Sequence, residues 1–303
     1  MQQPSVILIT GASGFLGRHL TAHLAAQGHR IRAAARRPDI IATQANVTPV
    51  PMPDLMHPAD WRPLLSGASH VVHLAGIAHR SATDEDHERG NHRAVAELAE
   101  AAAAAGIAQF VFISSIAAQT PAWTDHVLRE TDQPKPDSPY GYAKLAAEQA
   151  VRASGVPFTI LRPVVIDGDG AKGNIALIRK IAGLPLPLPF GALRNRRSIL
   201  SVENFNRAVL TVLANPAALG ETFVAADPHP LTVGELIAGI RRDAGRAPAL
   251  LSVPPGILER LATLAGRRAM WNRISGSLEV DPGKLLALGW RPVEHAPSRA
   301  TAD

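Results

Sequence analysis

Tyr140 and Lys144 stand four residues apart in Tyr-Gly-Tyr-Ala-Lys, a spacing that puts both side chains on one face of a helix, about 6 Å apart at Cβ. A phenol alone is a poor acid or base near neutrality, because its reference pKa is about 10. A fixed ammonium beside it favours the phenolate and eases proton transfer. Such a pair is common on protein surfaces, so its meaning depends on what else the chain brings to it. The octapeptide Thr10-Gly-Ala-Ser-Gly-Phe-Leu-Gly17 follows the apolar run Val6–Ile9 and opens a second run, Phe15, Leu16, Leu20 and Leu24. A strand stops, turns sharply and starts a helix on glycines. Gly11 can take a backbone conformation closed to residues with a Cβ, Gly14 lets the chain approach a diphosphate, and Gly17 lets helix and strand touch. The free N–H groups of that helix face an anion. Strand, turn and helix in this order point to a dinucleotide; Tyr140 and Lys144 could then move a proton while a nicotinamide ring moves a hydride.

Ser114 and Ser115 close the apolar run Phe110–Ile113. In open parallel sheets the crevice beyond the strand C-termini is where ligands lie, so a hydroxyl there can bind the oxygen that Tyr140 protonates. The alternative is that both serines only cap a strand end.

The first half alternates short β-branched or apolar runs with alanine-rich helical segments, the signature of a parallel sheet covered by helices on both faces. Strands are predicted at Val6–Thr10, Ile31–Ala35, Val47–Met52, His70–Ala75, Phe110–Ser114 and Phe158–Arg162, and helices at Gly14–Gln27, Asp60–Leu65, Asn91–Ala105 and Tyr140–Ser154. Gly28, Gly106 and Gly155 fall where three helices should stop. After Pro163 the texture changes to a glycine-rich loop, a helix and the proline run Leu184–Phe190. Ile199–Val202 and Thr222–Ala225 are expected to return to the main sheet, and Thr232-x-x-Glu235 has the form of a capping box.

The chain has 303 residues, a length for two domains or for one large α/β domain carrying a smaller appended lobe, and is 46% apolar and 19% charged, the composition of an ordinary globular protein. It has no cysteine, which removes disulfides, thiol catalysis and thiolate metal sites together and fits a cytoplasmic location. No segment reads as a signal peptide or a membrane span. The net charge of +5 is scattered, with Arg194, Arg196 and Arg197 the only tight group, and no aromatic platform accompanies it, so nucleic acid is not expected as a partner. His19 and His23 share a helix face without a third ligand, and no metal site is expected.

The glycine turn, a serine after the fifth strand and the Tyr-Gly-Tyr-Ala-Lys run together resemble the extended short-chain dehydrogenase/reductase family, that is, the NAD-dependent epimerase/dehydratase family. Within it, the likeness is to bacterial UDP-glucose 4-epimerase-like proteins and nucleotide-sugar 4-keto-reductases, over almost the whole chain. It implies a Rossmann-type, doubly wound parallel sheet in residues 1–166, rejoined by 199–226, with a smaller, mostly helical substrate-binding lobe in 167–303. It implies dinucleotide contacts from Gly11, Ser13, Gly14, Phe15, Leu16 and Gly17. Asp54-Leu55 matches the family's adenine-contacting pair, and Leu74-Ala75-Gly76 the stretch beside the cofactor. Asn91 matches the asparagine opening the next helix, and Leu161-Arg162-Pro163 the run beside the nicotinamide. Ser115, about two dozen residues before Tyr140, is implied as the catalytic hydroxyl, Tyr140 as acid/base, and Lys144 as the residue that holds the nicotinamide ribose and lowers the tyrosine pKa. By the same likeness Asn174 would meet the substrate and Arg197 would pair with its diphosphate, for which a guanidinium fork is suited. Relatives often carry Val-Tyr-Gly after the serine and again after Leu-Arg-Pro; here Ala118-Gln119-Thr120 and Ile166-Asp167-Gly168 stand there.

The second strand ends Ala33-Ala34-Ala35-Arg36-Arg37, without the carboxylate that usually accepts bonds from the ribose of NAD. An arginine suits the 2′-phosphate of NADP, and Arg36 matches the NADP-binding arginine of plant dihydroflavonol reductases, so NADP(H) is favoured over NAD(H). The expected reaction is hydride transfer at C4 of a UDP-hexose, by a 4-keto-reductase or a 4-epimerase. Its rivals are a reductase of a small carbonyl compound of the dihydroflavonol or sterol type, and a non-catalytic NADP-binding protein. The expected partner is a nucleotide sugar, with no membrane partner and with a homodimer as one option.

Overall fold

The computed structural model describes residues 5–77, 82–171 and 173–294. In chain order its elements are β1 (Val6–Thr10), α1 (Phe15–Ala26), β2 (Arg30–Ala35), β3 (Val47–Pro51), α2 (Arg62–Leu65), β4 (His70–His73) and α3 (Asp84–His87). A π-helical segment, Glu88–Arg93, joins α3 to α4 (Ala94–Ala104), followed by β5 (Gln109–Ile113), α5 (Pro139–Ala153), β6 (Phe158–Pro163), β7 (Val165–Asp167) and α6 (Asn174–Ala182). Then come β8 (Arg196–Arg197), β9 (Ile199–Ser201), α7 (Val202–Ala214), β10 (Glu221–Ala225), β11 (Leu231–Thr232), α8 (Val233–Asp243), α9 (Pro255–Leu264), α10 (Arg268–Ser275) and α11 (Gly283–Ala287).

Seven strands form one parallel sheet in the order β10-β6-β5-β4-β1-β2-β3. Alternate residues along each strand go to opposite faces. Ile7, Ile9, Ile31, Ala33, Val111 and Ile113 join one core with α1 and α7. Leu8, Ala34, Phe110 and Phe112 join the other with α2, α4 and α5. Both faces are therefore covered, which is why these strands read as nearly continuous apolar runs. The order reverses between β1 and β4, so the connections leaving their C-terminal ends run in opposite directions and leave a crevice, the switch point of a doubly wound sheet.

Of the two segments expected to return to the main sheet, one does and one does not. Thr222–Ala225 adds to the sheet edge beside β6 within β10, but Ile199–Ser201 pairs with β7 in a separate two-stranded sheet. The helix that follows, α7, is what returns to the main core, joined there by Leu278, Val280, Leu285 and Trp290. A third cluster gathers α6, α8, α9 and α10 around Leu188, Leu193, Ile237 and Trp271. The capping box at Thr232 and Glu235 is formed.

Candidate functional site

An open cleft of about 350 Å³ lies at the switch point, walled by the β1–α1 turn, the end of β2 and the loops after β3 and β4. Gly11, Ser13, Gly14, Arg36, Asp54, Leu55, Leu74, Ala75 and Gly76 line it, as do Ala35, Met52, Met56 and Ile77, apolar wall residues that belong to no motif. Gly11 has φ +71°, and a Cβ there would sit 2.9 Å from Ala75 N; a side chain would strain the turn and push the loop after β4 away. The turn is thus bare of side chains where backbone N–H groups can approach a ligand. Gly17 does not line the cleft: a Cβ on it would overlap the Gly11 carbonyl, so its role is to seat α1 against the turn. Nor do Phe15, Leu16 and Pro163. Phe15 packs edge-on to His19 at 5.5 Å and lies against the Gly168–Gly170 loop, Leu16 packs on the core, and Pro163 pairs with Ala225 in the sheet.

Beneath the turn, Thr10 Oγ1 and His73 Nδ1 are 2.8 Å apart and link β1 to β4. Burial pushes the His73 pKa down to about 3, so the imidazole is neutral at any ordinary pH. It is a polar staple across the switch point rather than a charge.

Tyr140 owes its position to the start of α5. Ser138 Oγ accepts from Gly141 N at 3.2 Å and Pro139 opens the first turn, a pairing of cap and proline that fixes where a helix begins. A Cβ on Gly141 would overlap the Ala117 carbonyl, so the first turn of α5 lies directly on the loop after β5. That contact sets the Ser115 hydroxyl close enough to the phenol to act on its pKa. Ser114 points the other way, donating to Glu148 Oε1 at 2.6 Å. The structure therefore separates two serines that adjacency left equivalent.

Lys144 is buried at 4% exposure. Its Nζ donates to the Ile113 carbonyl at 3.0 Å and lies 4.7 Å from the Phe112 ring centroid. Burial lowers its pKa to about 8, with Glu148 pulling the other way. The expected effect on the tyrosine is not what the structure shows. Burial raises the Tyr140 pKa, and the group acting downward is Ser115, not Lys144, because the ammonium is turned to the strand carbonyl. At neutral pH the phenol keeps its proton, the form needed to donate one.

Asn91 does not line the cleft; it sits in the π-helical segment, a deviation that often marks functional sites. Its Oδ1 accepts from Ile77 N and its Nδ2 donates to Ile77 O, both at 2.7 Å, which clamps the loop leading from the cleft. Nδ2 also donates to His87 Nδ1 at 3.0 Å, and the His87 ring meets Tyr140 edge-on at 5.7 Å. His87 was missed by sequence reasoning because the helix begins seven residues before Asn91. Its start carries a capping box between Thr83 and Asp86, a Thr-x-x-Asp spacing that could have signalled it.

Glu148 also receives Arg162, Nε to Oε1 at 2.9 Å and Nη2 to Oε2 at 2.6 Å. Arg162 Nη1 donates to Gln119 Oε1 at 2.9 Å. Gln119 and Asp167 are two positions where the chain departs from the family pattern, and both hold an arginine: Asp167 accepts from the partly buried Arg179 at 2.7 Å. Asn174 opens α6, and its side chain lies outside the described residues. Arg197, in β8, donates to the carbonyls of Gly276 at 2.8 Å and Ala122 at 3.1 Å, and burial lowers its pKa.

The model of the NAD dependent epimerase/dehydratase family matches residues 7–226. The UDP-glucose 4-epimerase of Vibrio cholerae is 28% identical, with 96% of this chain and 92% of that protein covered. The ceramide reductase of Caulobacter vibrioides is 32% identical, covering 95% and 86%. Among solved structures, the UDP-glucuronic acid 4-epimerase from Bacillus cereus, in complex with NAD, superposes with a TM-score of 0.76 at 18% identity over 97% of this chain and 95% of that one, a likeness of fold. The chain is an enzyme of the NAD-dependent epimerase/dehydratase family, in the extended short-chain dehydrogenase/reductase class.

Proposed function

We propose that this enzyme catalyses hydride transfer at C4 of a UDP-hexose, as a 4-keto-reductase or 4-epimerase, with Tyr140 as acid/base, residues 1–166 holding the dinucleotide and much of 167–303 the substrate. The observation that carries this is that Ser115 lies by Tyr140, with Lys144 one turn along the same helix and next to Gly76 of a cleft floored by the glycine turn. A bound nicotinamide supplies the hydride acceptor or donor. Gly11, Ser13 and Gly14 would hold the diphosphate, Asp54 and Leu55 the adenine, and Lys144 the nicotinamide ribose. Ser115 orients the substrate oxygen. Tyr140 gives its proton to that oxygen when a carbonyl is reduced and takes it back when an alcohol is oxidised, so one group serves either direction.

NADP(H) is the favoured cofactor, because Arg36 is exposed on the cleft wall and β2 ends without a carboxylate. Arg36→Ala should weaken NADPH binding by about tenfold or more, the worth of one charge-assisted contact to phosphate, and NADH binding by less than about twofold. Equal losses in fluorescence titrations with the two cofactors would remove the 2′-phosphate contact.

A second reading, reduction of a carbonyl compound that carries no nucleotide, is favoured by one observation: Arg197 already spends two donors on backbone carbonyls. The two readings part on Arg197→Ala. If the substrate carries a diphosphate at Arg197, KM for a UDP-sugar rises about tenfold with kcat little changed; if Arg197 is a structural clamp, the thermal midpoint falls and KM stays put.

A further inference from the structure

Between Arg241 and Arg268 the chain carries six arginines against two acidic residues, Asp243 and Glu259; Arg241 is buried against backbone carbonyls, and the other five are exposed. Within it, α9 has no fully buried residue. Leu258 and Ala262 rest against the third core cluster, while Ile257, Leu261 and Leu264 are 50%, 57% and 86% exposed. Their i, i+4, i+7 spacing makes a single outward stripe of branched aliphatic side chains. Arg260, exposed and four residues before Leu264, flanks that stripe, and exposed Arg267 and Arg268 follow the helix end.

We propose that the α9 stripe and its arginine rim dock the protein on a lipid surface rich in anionic headgroups, with the helix lying in the plane of the interface. Aliphatic side chains on one side and arginines beside them are the pattern that partitions into the headgroup boundary, each basic residue adding attraction to anionic lipid. A helix of ten residues, about 15 Å long, lies on a bilayer and cannot cross it. A second copy of this chain fits less well, because a two-fold interface would set the same arginines against one another. The stripe also lacks the aromatic anchor that a protein partner commonly buries. This departs from the expectation of no membrane partner, which rested on the absence of a spanning segment. It is independent of the reaction, since its test reads binding alone.

The full chain is floated with vesicles of phosphatidylcholine alone and of phosphatidylcholine mixed with phosphatidylglycerol. Flotation with the mixed vesicles only, reversed by high salt, is the expected result. Leu261→Glu with Leu264→Glu should weaken it about tenfold or more, and Arg267→Glu with Arg268→Glu should do likewise through charge alone. Both pairs change only exposed side chains, and an unchanged thermal midpoint confirms that each variant is folded. No phosphatidylglycerol-dependent flotation, or variants that float like wild type, would overturn the proposal. So would a lipid-free dimer that Leu264→Glu dissolves in sedimentation velocity, which would make the stripe an interface between copies.

Discussion

Tyr140→Phe should lower kcat by about a thousandfold, within the range that a positioned acid/base contributes, while NADPH affinity changes by less than about twofold. The ring stays, so its edge contact with His87 at 5.7 Å and its place in the first turn of α5 are kept. Only the hydroxyl that meets Ser115 is removed. The split between kcat and cofactor affinity matters because a merely structural tyrosine would move both, or neither. Steady-state rates with cofactor titrations on the same preparation measure it, and a kcat within about threefold of wild type would remove Tyr140 from the chemistry.

Glu148→Ala should cost roughly 3–5 kcal/mol of stability, the range for leaving one member of a buried ion pair unpartnered. Arg162 and Glu148 side chains are 5% and 1% exposed, with Nη2 and Oε2 2.6 Å apart. Loss of the carboxylate strands the guanidinium and also the Ser114 hydroxyl that donates to it. The residue sits one turn beyond Lys144 on α5, so the helix that carries Tyr140 is held to β6 by this pair. A fall in thermal midpoint of roughly 10 °C is expected. A change under about 1 kcal/mol in denaturant unfolding would show that water or repacking replaces the pair.

Local periodicity and turn chemistry made the first half of the fold legible. The run Val6–Ile9, the glycine turn and the helix behind it need only neighbours in sequence to be recognised, and the same holds for the face shared by Tyr140 and Lys144. What escaped depends on contacts between distant segments. Ile199–Ser201 has the composition of a sheet strand, but its partner is β7, and nothing in three residues specifies which edge they join. Lys144 was expected to act on Tyr140 from spacing alone; the strand-end carbonyl of Ile113 competes for its ammonium, and the phenol's acidity answers to burial and Ser115 instead. Arg197 read as a free fork for phosphate, whereas Gly276 and Ala122, far away in the chain, take two of its donors. Ser115 was preferred to Ser114 on its distance from Tyr140 in the family pattern; that Ser114 is committed to Glu148 needed the structure.

The proposed reaction requires a dinucleotide across the switch point with its nicotinamide beside Ser115 and Tyr140. A crystal structure of the protein with NADP+ tests it most directly. The diphosphate is expected against the Gly11–Gly14 turn, the 2′-phosphate at Arg36, and the nicotinamide next to the Tyr140 hydroxyl. A dinucleotide bound with its nicotinamide turned away from Tyr140, or a cleft that takes none at saturating concentration, would contradict it.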